Sequence, residues 1–518
     1  MGVFDWGIAS GDPTTSGVIL WTRVNPANWT AATTLSWQVA TDSGFSTVVA
    51  SGSQSSANFS SSRDYCVRVD VTGLSAGTRY YYRLNYASTY TPTGRCRTLP
   101  ATASTPAQVK LAMLTCNHFE EGYFSSLSTL AVDDSVDFVV HFGDFIYEYV
   151  GLNPPLSGRT LTLPSAGTYA TTLADYRYLY ATYRTDTHLQ TLLKNHTFIF
   201  MIDDHEVAND FYWDNSNSRI DSPDHPYKNT SNMNTLYYNA LKVWVEWTPS
   251  RELINAGYTS PQNYLLLYRA FQFGTLLTLN CLNTRTFRSP HPCGETGDER
   301  VYSSGCAQQS SSSQTMLGST QLAWLQTQLS SSTTTWQAIA SPGLMTELAA
   351  PPADSNKWYL KLDGWDGYQY ERGLIAESCA GTRAVVLSGD IHATVVGYVK
   401  TNYTAAGTVT TVELTTPALS SRTLGAELLE GSFGGMNEAN HAGIFRNNNA
   451  HLVAMDGYQN GYGVVTFGGQ GVRYEVFECD RTDSAGTPTL SDTFFVAKNL
   501  NISRATRGSS ASVSRRGR

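Results

Sequence analysis

Four short clusters along the chain contain side chains that bind metals or transfer protons. They lie at residues 116–118, 143–148, 203–206 and 389–392, and each follows a run of apolar residues. Asp and His supply oxygen and nitrogen ligands, and two metals about 3.5–4 Å apart hold a hydroxide for in-line attack on phosphorus. The thiolate of Cys116 and the phenolate of Tyr147 suit trivalent iron better than magnesium. The residue types therefore predict a metal centre.

The apolar runs before these clusters determine where the clusters lie. Residues 110–115, 137–142, 197–202 and 383–388 are short and continuously apolar, as in strands buried on both faces of a sheet. In open α/β sheets, ligands bind at the carboxyl ends of the strands. Segments at 123–132, 175–194, 233–247 and 321–329 predict helices between the strands. We therefore expect an α/β domain in which the four clusters converge on one crevice.

Each cluster also has a structural interpretation. Gly143-Asp144 after a strand is usually a turn, and Cys116 by itself is more often a core thiol or half of a disulfide. Residues 203–206 and 389–392 are harder to explain in this way, because titratable groups directly after a central strand are costly to bury. The presence of all four clusters favours a site over four unrelated turns.

The N-terminal segment is predicted to be all-β. Residues 17–24, 34–40, 64–70 and 79–85 alternate apolar and polar side chains between turn residues. This spacing predicts a β-sandwich of immunoglobulin or fibronectin type at residues 1–104, in which Cys66 pairs with Cys96. A linker at 99–107 leads into a catalytic domain at 105–500, and the Ser/Arg-rich tail at 501–518 is predicted to be disordered.

The composition favours a secreted protein. Only 15% of the residues are charged, and the chain has eight cysteines. We expect any signal peptide to have been removed, and no run approaches the roughly 20 apolar residues of a membrane span. The net charge of −8 gives no electrostatic footprint for nucleic acid. Sites for N-linked glycans begin at Asn28, Asn58, Asn195, Asn229, Asn402 and Asn501.

Motifs along most of the chain resemble a known family. They include Gly-Asp-Phe-Ile-Tyr-Glu at 143–148, Asp-Asp-His-Glu at 203–206, Leu-Asn-Thr-Arg at 282–285, Trp-Asp-Gly-Tyr at 365–368 and Leu-Ser-Gly-Asp-Ile-His at 387–392. With further matches at 7–13, 17–23, 115–117, 317–325 and 415–417, they are similar to the alkaline phosphatase D (PhoD-like) family of the metallophosphoesterase superfamily.

The resemblance implies an architecture and an activity. The catalytic domain would be of metallophosphoesterase type, with two packed mixed sheets flanked by helices, after the N-terminal sandwich. The protein would be an alkaline phosphatase or phosphodiesterase that hydrolyses small phosphate esters by a metal-activated hydroxide. Fe³⁺ and Ca²⁺ would be its cofactors and phosphate scavenging its purpose.

The resemblance also implies roles for single residues. The metal ligands would be Cys116, Asp144, Tyr147, Asp204, Asp390 and His392, with Asp144 as the bridging, catalytic carboxylate. His205 would contact the phosphate or protonate the leaving group, and Asn117 would bind substrate. Asp203 would be a further calcium ligand or would support the ligands. Arg285 would pair with a phosphate or a carboxylate. Asp366 would shape the pocket rim, with a packed turn at 365–368 as the alternative.

Three positions depart from the commoner family pattern. Phe145 replaces a frequent Tyr, and Asn117-His118 stands where Gln or Asn with an aromatic residue is usual. Asn283 replaces an Asp, so a lost Asp–Arg pair is expected to change the local geometry. None of the three belongs to the expected ligand set.

The number of cysteines constrains the ligand assignment. If Cys116 is a ligand, an odd number of cysteines remains and at least one is free. We pair Cys293 with Cys306 and leave the partners of the other three cysteines after residue 116 open. The alternative places Cys116 in one of four disulfides.

Two other functions are consistent with the sequence. One is a diesterase of phospholipase D type, although no basic amphipathic segment favours a membrane surface. The other is a catalytically inactive secreted or cell-wall protein that keeps the fold. Every expected ligand position is filled, which favours the enzyme.

Overall fold

The computed structural model describes residues 2–294, 302–303, 306–350, 358–429 and 435–505. These residues form a mixed α/β fold, as predicted. The N-terminal strands are β1 (Ile8–Gly11), β2 (Val18–Arg23), β3 (Leu35–Ala40), β4 (Val48–Gln54), β5 (Cys66–Val71), β6 (Arg79–Tyr86), β7 (Thr89–Tyr90) and β8 (Gly94–Arg97).

The rest of the chain alternates strands with helices. Its strands are β9 (Gln108–Leu114), β10 (Phe138–His141), β11 (Thr197–Phe200), β12 (Tyr212–Asp214), β13 (Arg219–Asp221), β14 (Arg269–Phe273), β15 (Leu277–Cys281), β16 (Tyr302–Ser303), β17 (Trp336–Ser341), β18 (Ala349–Ala350), β19 (Trp358–Tyr359), β20 (Ala384–Ser388), β21 (Thr394–Lys400), β22 (Val409–Thr415), β23 (Leu452–Asp456), β24 (Gly461–Gly468), β25 (Gly471–Glu478), β26 (Thr489–Ala497) and β27 (Ile502–Arg504). The α-helices are α1 (Leu127–Leu130), α2 (Leu173–Tyr183), α3 (Thr187–Asn195), α4 (Asn232–Trp247), α5 (Gly318–Ser331), α6 (Gln369–Cys379) and α7 (His441–Asn448).

Two large sheets position the predicted clusters. One has ten strands in the order β27-β26-β25-β24-β9-β10-β11-β1-β2-β5, and the other has seven in the order β14-β15-β17-β20-β22-β21-β23. Strands β9, β10 and β11 are parallel neighbours in the first sheet. Strand β20 lies between parallel neighbours in the second. The four apolar runs of the sequence are therefore central strands of two sheets rather than one.

The two large sheets share one hydrophobic core. Leu111 and Met113 of β9 lie in the same core cluster as Val385 and Leu387 of β20. The alternate residues of these strands pack on the outer faces, in clusters that also contain residues of the helices. Because successive strand residues point to opposite faces, a strand between two apolar layers is apolar throughout. This arrangement explains the continuous apolar runs.

The N-terminal segment is all-β, as predicted, but its strands belong to two sheets. Strands β1, β2 and β5 extend the ten-stranded sheet, with β1 parallel to β11. Strands β3, β4, β6, β7 and β8 form a five-stranded sheet, and residues of both sheets fill one core cluster. The immunoglobulin or fibronectin type and the domain boundary at residue 104 stay predictions.

The cysteines correct one predicted disulfide and confirm another. Cys66 and Cys96 are both free, so the predicted bond between them was wrong. Cys66 lies in the core cluster beneath helices α2 to α4, whereas Cys96 lies in the N-terminal cluster, so the two thiols point into different cores. Cys293 and Cys306 form the predicted disulfide, and Cys116 is a free, buried thiol.

Two segments differ from their predicted form. The segment at 175–194 contains two helices because Asp186 caps α3 by accepting the backbone N–H groups of His188 and Leu189. Residues 502–504, predicted as part of a disordered tail, form β27 at the edge of the ten-stranded sheet. The tail from residue 506 lies outside the described residues. Among the described helices, none has the length and apolarity needed to span a membrane.

Candidate metal centre

The four predicted clusters meet beyond the carboxyl ends of β9, β10, β11 and β20. The backbone N–H of Cys116 donates to the carbonyl of Gly143 at 3.3 Å. A Cβ atom on Gly143 would lie 2.3 Å from the backbone nitrogen of Asp203, and its φ of 118° is one that favours glycine. A Cβ atom on Gly389 would lie 2.7 Å from Oγ1 of Thr115. The two glycines therefore permit the close contacts that join the four loops.

Four of the six predicted ligands have a left-handed backbone. The φ angles are 57° at Cys116, 56° at Asp144, 64° at Asp390 and 53° at His392. Such a conformation costs a non-glycine residue about 1–3 kcal/mol and persists only where the surrounding structure enforces it. Strain of this kind concentrates at functional sites, and here it orients predicted ligands from three loops.

The predicted ligand atoms form three overlapping groups, in each of which all atoms lie within 4.8 Å of one another. The groups are Cys116, Asp144 and His392; Asp144, Asp204 and His205; and Asp144, Asp203, Asp204 and Asp390. Asp144 belongs to all three groups, which is the position of a ligand that bridges two metals. The thiol of Cys116 lies 3.3 Å from Oδ2 of Asp144.

Tyr147 lies at the edge of the first group. Its phenolic oxygen is 3.3 Å from Nε2 of His392 and accepts a hydrogen bond from the hydroxyl of Ser421 at 2.7 Å. The hydroxyl of Ser421 also lies 3.0 Å from the carbonyl oxygen of Cys116, so Ser421 links the Tyr147 phenol to the Cys116 loop. Ser421 was not singled out from the sequence.

The electrostatics of the cluster fit a bound cation. Burial raises the pKa of Asp144 well above its usual range, and the charges of Asp204 and Asp203 raise it further. Burial also raises the pKa values of Cys116 and Tyr147. A metal ion would lower all three, since a coordinated ligand is deprotonated. Moreover, Oδ1 of Asp204 is buried and accepts no hydrogen bond from the described residues.

Glu206 connects the loop after β11 to the loop after β10. Its carboxylate accepts the backbone N–H groups of Asp144 at 3.0 Å, Phe145 at 2.7 Å and Asp203 at 2.8 Å. Burial raises the pKa of Glu206 to about 7, although these hydrogen bonds oppose the rise. The sequence placed Glu206 in a cluster but assigned it no role; the structure shows that it holds two ligand loops.

His205 lines the cavity and forms a close pair with a buried carboxylate. Its Nδ1 lies 2.7 Å from Oε2 of Glu148. Burial lowers the pKa of His205, but Glu148, Asp204 and Asp144 outweigh burial and raise it well above its usual value. These carboxylates therefore favour the protonated form of the ring, from which Nε2 can donate a proton.

Arg285 pairs with buried carboxylates and does not line the cavity. It forms a two-pronged pair with Asp203, one contact being 3.0 Å, and its Nη1 contacts both oxygens of Asp363 at 3.1 and 2.9 Å. Arg288 also pairs with Asp363. Asn283, at the position of the lost Asp, instead accepts the backbone N–H of Arg285 at 3.1 Å. The expected loss of an ion pair is therefore offset by Asp203 and Asp363.

A second cation, Lys361, lies beside the cluster. Its Nζ is 2.9 Å from Oδ1 of Asp210, whose backbone N–H donates to Oδ2 of Asp204 at 2.8 Å. Burial lowers the pKa of Lys361, but Asp210 and Asp363 outweigh burial and raise it well above its usual value. Burial, with the charge of Asp363, raises the pKa of Asp210 to about 7. Lys361 was also not singled out from the sequence.

An open cavity covers the cluster. Among the residues that line it are five predicted ligands, namely Asp144, Tyr147, Asp204, Asp390 and His392. His205, Lys361 and Arg422 line it too, together with Tyr149 and Tyr169. Cys116 is fully buried and does not line the cavity, so its thiol would be a metal donor that solvent does not reach.

Two predicted residues lie away from the cavity wall. The side chain of Asn117 is fully buried, and its amide group has no hydrogen-bond partner among the described residues. Asp366 pairs with Arg372 at 2.5 Å and accepts the backbone N–H of Leu348. Trp365 beside it is buried, so residues 365–368 are a packed turn.

Comparison with known proteins identifies the family of the chain. The profile of the PhoD-like phosphatase family matches residues 111–476, and that of the PhoD-like phosphatase N-terminal domain matches residues 2–100. This chain belongs to the PhoD-like phosphatase family. It is 30% identical to alkaline phosphatase D of Bacillus subtilis (strain 168) over 409 residues, which are 75% of this chain and 64% of that protein.

A solved structure of the family has the same fold. The chain superimposes on a structure described as that of PhoD with a TM-score of 0.84 and 25% identity, over 98% of this chain and 92% of the other. The PhoD-like family predicted from the motifs is therefore confirmed, and its name implies a phosphatase.

Proposed function

We propose that this PhoD-like protein is a secreted, metal-dependent phosphoesterase that hydrolyses phosphomonoesters, phosphodiesters or both and serves phosphate scavenging. The observation that carries the proposal is the convergence of Cys116, three carboxylates and His392 on Asp144 at the floor of one cavity. The family relationship and the likeness to alkaline phosphatase D support a phosphate ester as substrate.

The donor set supports iron and calcium. Cys116, Tyr147 and His392 offer sulfur, phenolate and imidazole donors beside Asp144, a set that suits trivalent iron. Asp203, Asp204 and Asp390 offer the carboxylate oxygens that calcium prefers. Bound metals would supply Lewis-acid stabilisation of the phosphoryl oxygens and a lowered pKa for the attacking water.

The chain's own residues would position and protonate the substrate. His205 lines the cavity as an imidazolium held by Glu148, so its Nε2 is placed to donate a proton to the leaving-group oxygen. Glu206 would keep Asp144 and Asp203 in place through their backbone N–H groups. The backbone N–H of Asn117 donates to the carbonyl of Asp144 at 2.9 Å, so Asn117 would hold the two ligand loops together. Its contact with substrate stays a prediction, because its side chain is fully buried and does not line the cavity.

Two features support an extracellular setting. The Cys293–Cys306 disulfide is typical of an oxidising compartment. All the sequon asparagines except the half-buried Asn195 are exposed, so N-linked glycans have room to attach.

Hydrolysis of nitrophenyl phosphate and bis(nitrophenyl) phosphate, with and without chelator, tests the proposal. We expect chelator-sensitive hydrolysis and a loss of about 100-fold or more in the Asp144→Asn variant. The matched control is Asp492→Asn, which removes a surface carboxylate paired with Arg504. Full activity of Asp144→Asn would refute the catalytic proposal, and activity confined to phosphatidylcholine would favour a phospholipase.

A further inference from the structure

Lys361 pairs with Asp210, but its side chain also lines the cavity, which the ion pair alone would not require. The residue follows β19 and its side chain lines the same cavity as Asp144, Asp204 and His205. It is 29% exposed, whereas the carboxylate of its partner Asp210 is 1% exposed. The ammonium therefore lies between a buried carboxylate and the space where a substrate would bind.

The hydrogen bonds of Lys361 leave capacity for a ligand. Its ammonium has three N–H donors, and the described residues accept one, through Asp210 at 2.9 Å. The other nearby carboxylate, that of Asp363, is 3.9 Å away, beyond hydrogen-bond distance. Asp363 already pairs with Arg285 and Arg288, so it does not depend on the lysine for neutralisation.

Asp210 fixes the ammonium relative to the predicted ligands. Its backbone N–H holds Oδ2 of Asp204 at 2.8 Å while its side chain holds Lys361. The residue has a φ of 54°, a strained conformation that aims its N–H and its carboxylate at these two partners. A cation placed in this way beside a metal cluster is preorganised for an anion and needs no rearrangement to bind one.

We propose that Lys361 binds a non-bridging oxygen of the phosphoryl group, in the substrate and in the phosphate product, and that Asp210 is its positioning residue. The inference rests on the phosphoesterase function proposed above and deepens it. The compact ammonium donates a charge-assisted hydrogen bond to one phosphoryl oxygen, and metals held by the ligand cluster would supply Lewis-acid stabilisation to the others. Arg285, for which the sequence left both a phosphate and a carboxylate open as partner, is occupied by Asp203 and Asp363.

Equilibrium binding of inorganic phosphate to the purified full chain tests the inference, alongside kcat and KM for nitrophenyl phosphate and the metal content. We expect Lys361→Met to weaken phosphate binding about tenfold or more and to raise KM, with the bound metals retained. Lys361→Arg should restore part of the affinity. Asp210→Asn should lie between the wild type and Lys361→Met. The control is Lys110→Met, which removes a lysine that pairs with Asp133 near the start of β9, at the end of that strand opposite to Cys116.

The outcomes separate the two proposals. A phosphate affinity of Lys361→Met within about twofold of the wild type would overturn the role of the lysine. A wild-type protein that binds phosphate through Lys361 but hydrolyses no phosphate ester would support this role while refuting the phosphoesterase function.

Discussion

The carboxylate of Glu206 accepts the backbone N–H of Asp144 at 3.0 Å, so a residue after β11 determines the position of the predicted bridging ligand after β10. The same carboxylate holds Phe145 and Asp203. Two loops that the sequence separates by about sixty residues thus act as one unit. The geometry of the candidate centre depends on this buried acceptor as well as on the ligands themselves.

Glu206→Gln should lower both stability and metal binding. The amide keeps one acceptor oxygen but turns an NH₂ group towards backbone N–H groups, at an expected cost of about 1–3 kcal/mol. Urea unfolding and metal analysis measure the two effects. Glu371→Gln is the matched control, because Glu371 accepts the N–H groups of Met316 and Leu317 away from the cavity. Glu371→Gln should lower stability but leave the metal content unchanged. An equal loss of metal in both variants would contradict the account.

Glu148→Gln should move the alkaline limb of the pH profile to lower pH. Burial lowers the pKa of His205 and Glu148 raises it, so removal of the charge lowers it. The same pKa shift also affects folding. The protonated His205 ring stabilises the folded state fully at pH values below the pKa of this histidine in the unfolded chain, and the stabilisation is lost as the pH rises through the higher pKa in the folded protein. The kcat profile for an alkyl phosphate measures the shift. The kcat profile for nitrophenyl phosphate should shift less, because its leaving group needs no proton. Equal shifts with both esters would exclude His205 as the general acid.

Tyr147→Phe should remove the phenolate contribution to the visible absorption of the iron-loaded protein. A phenolate or thiolate on ferric iron absorbs visible light through charge transfer, and both Tyr147 and Cys116 are placed as such ligands. Tyr149→Phe is the matched control, since its ring lies 5.7 Å from that of Tyr147 but Tyr149 is not one of the predicted ligands. An unchanged spectrum in both Tyr147→Phe and Cys116→Ser would refute their assignment as iron ligands.

The Cys293–Cys306 bond should contribute to stability without affecting the site chemistry. It closes a loop with a sequence separation of 13, for which chain entropy predicts about 3 kcal/mol. Replacement of both cysteines by serine should lower the free energy of unfolding by this amount in urea. Thiol titration of the denatured wild type should find six free cysteines. A count of four would show that two of these six cysteines form a bond, which would contradict the free thiols of the structure.

Much of the site was predictable because its chemistry is local in sequence. Some ligand clusters directly follow a strand that is buried on both faces. In the sequence such a cluster is recognised as polar residues that end a continuous apolar segment, as at Asp144 and Asp390. Because β9, β10 and β11 are parallel neighbours, the polar clusters that follow them lie at the same end of the sheet. The family resemblance implied two packed sheets, but the residues themselves could not show which sheet each strand joins, because an apolar run is the same in either sheet.

The supporting residues were not predictable, for a different physical reason. Lys361, Asp363 and Ser421 act through partners that are distant in sequence, and none follows an apolar run. The pairing of Cys66 with Cys96 failed because sequence spacing does not report which core a strand residue faces. The left-handed backbone at Cys116 and His392 likewise has no signal in the residue types.

The most direct test of the central claim is elemental analysis of the purified protein by plasma mass spectrometry, run beside nitrophenyl phosphate hydrolysis. The account predicts near-stoichiometric iron and calcium in the wild type, with hydrolysis that chelator abolishes, and depletion of both metals in Asp144→Asn. A wild-type protein that binds neither metal, and stays inactive after both are restored, would contradict it.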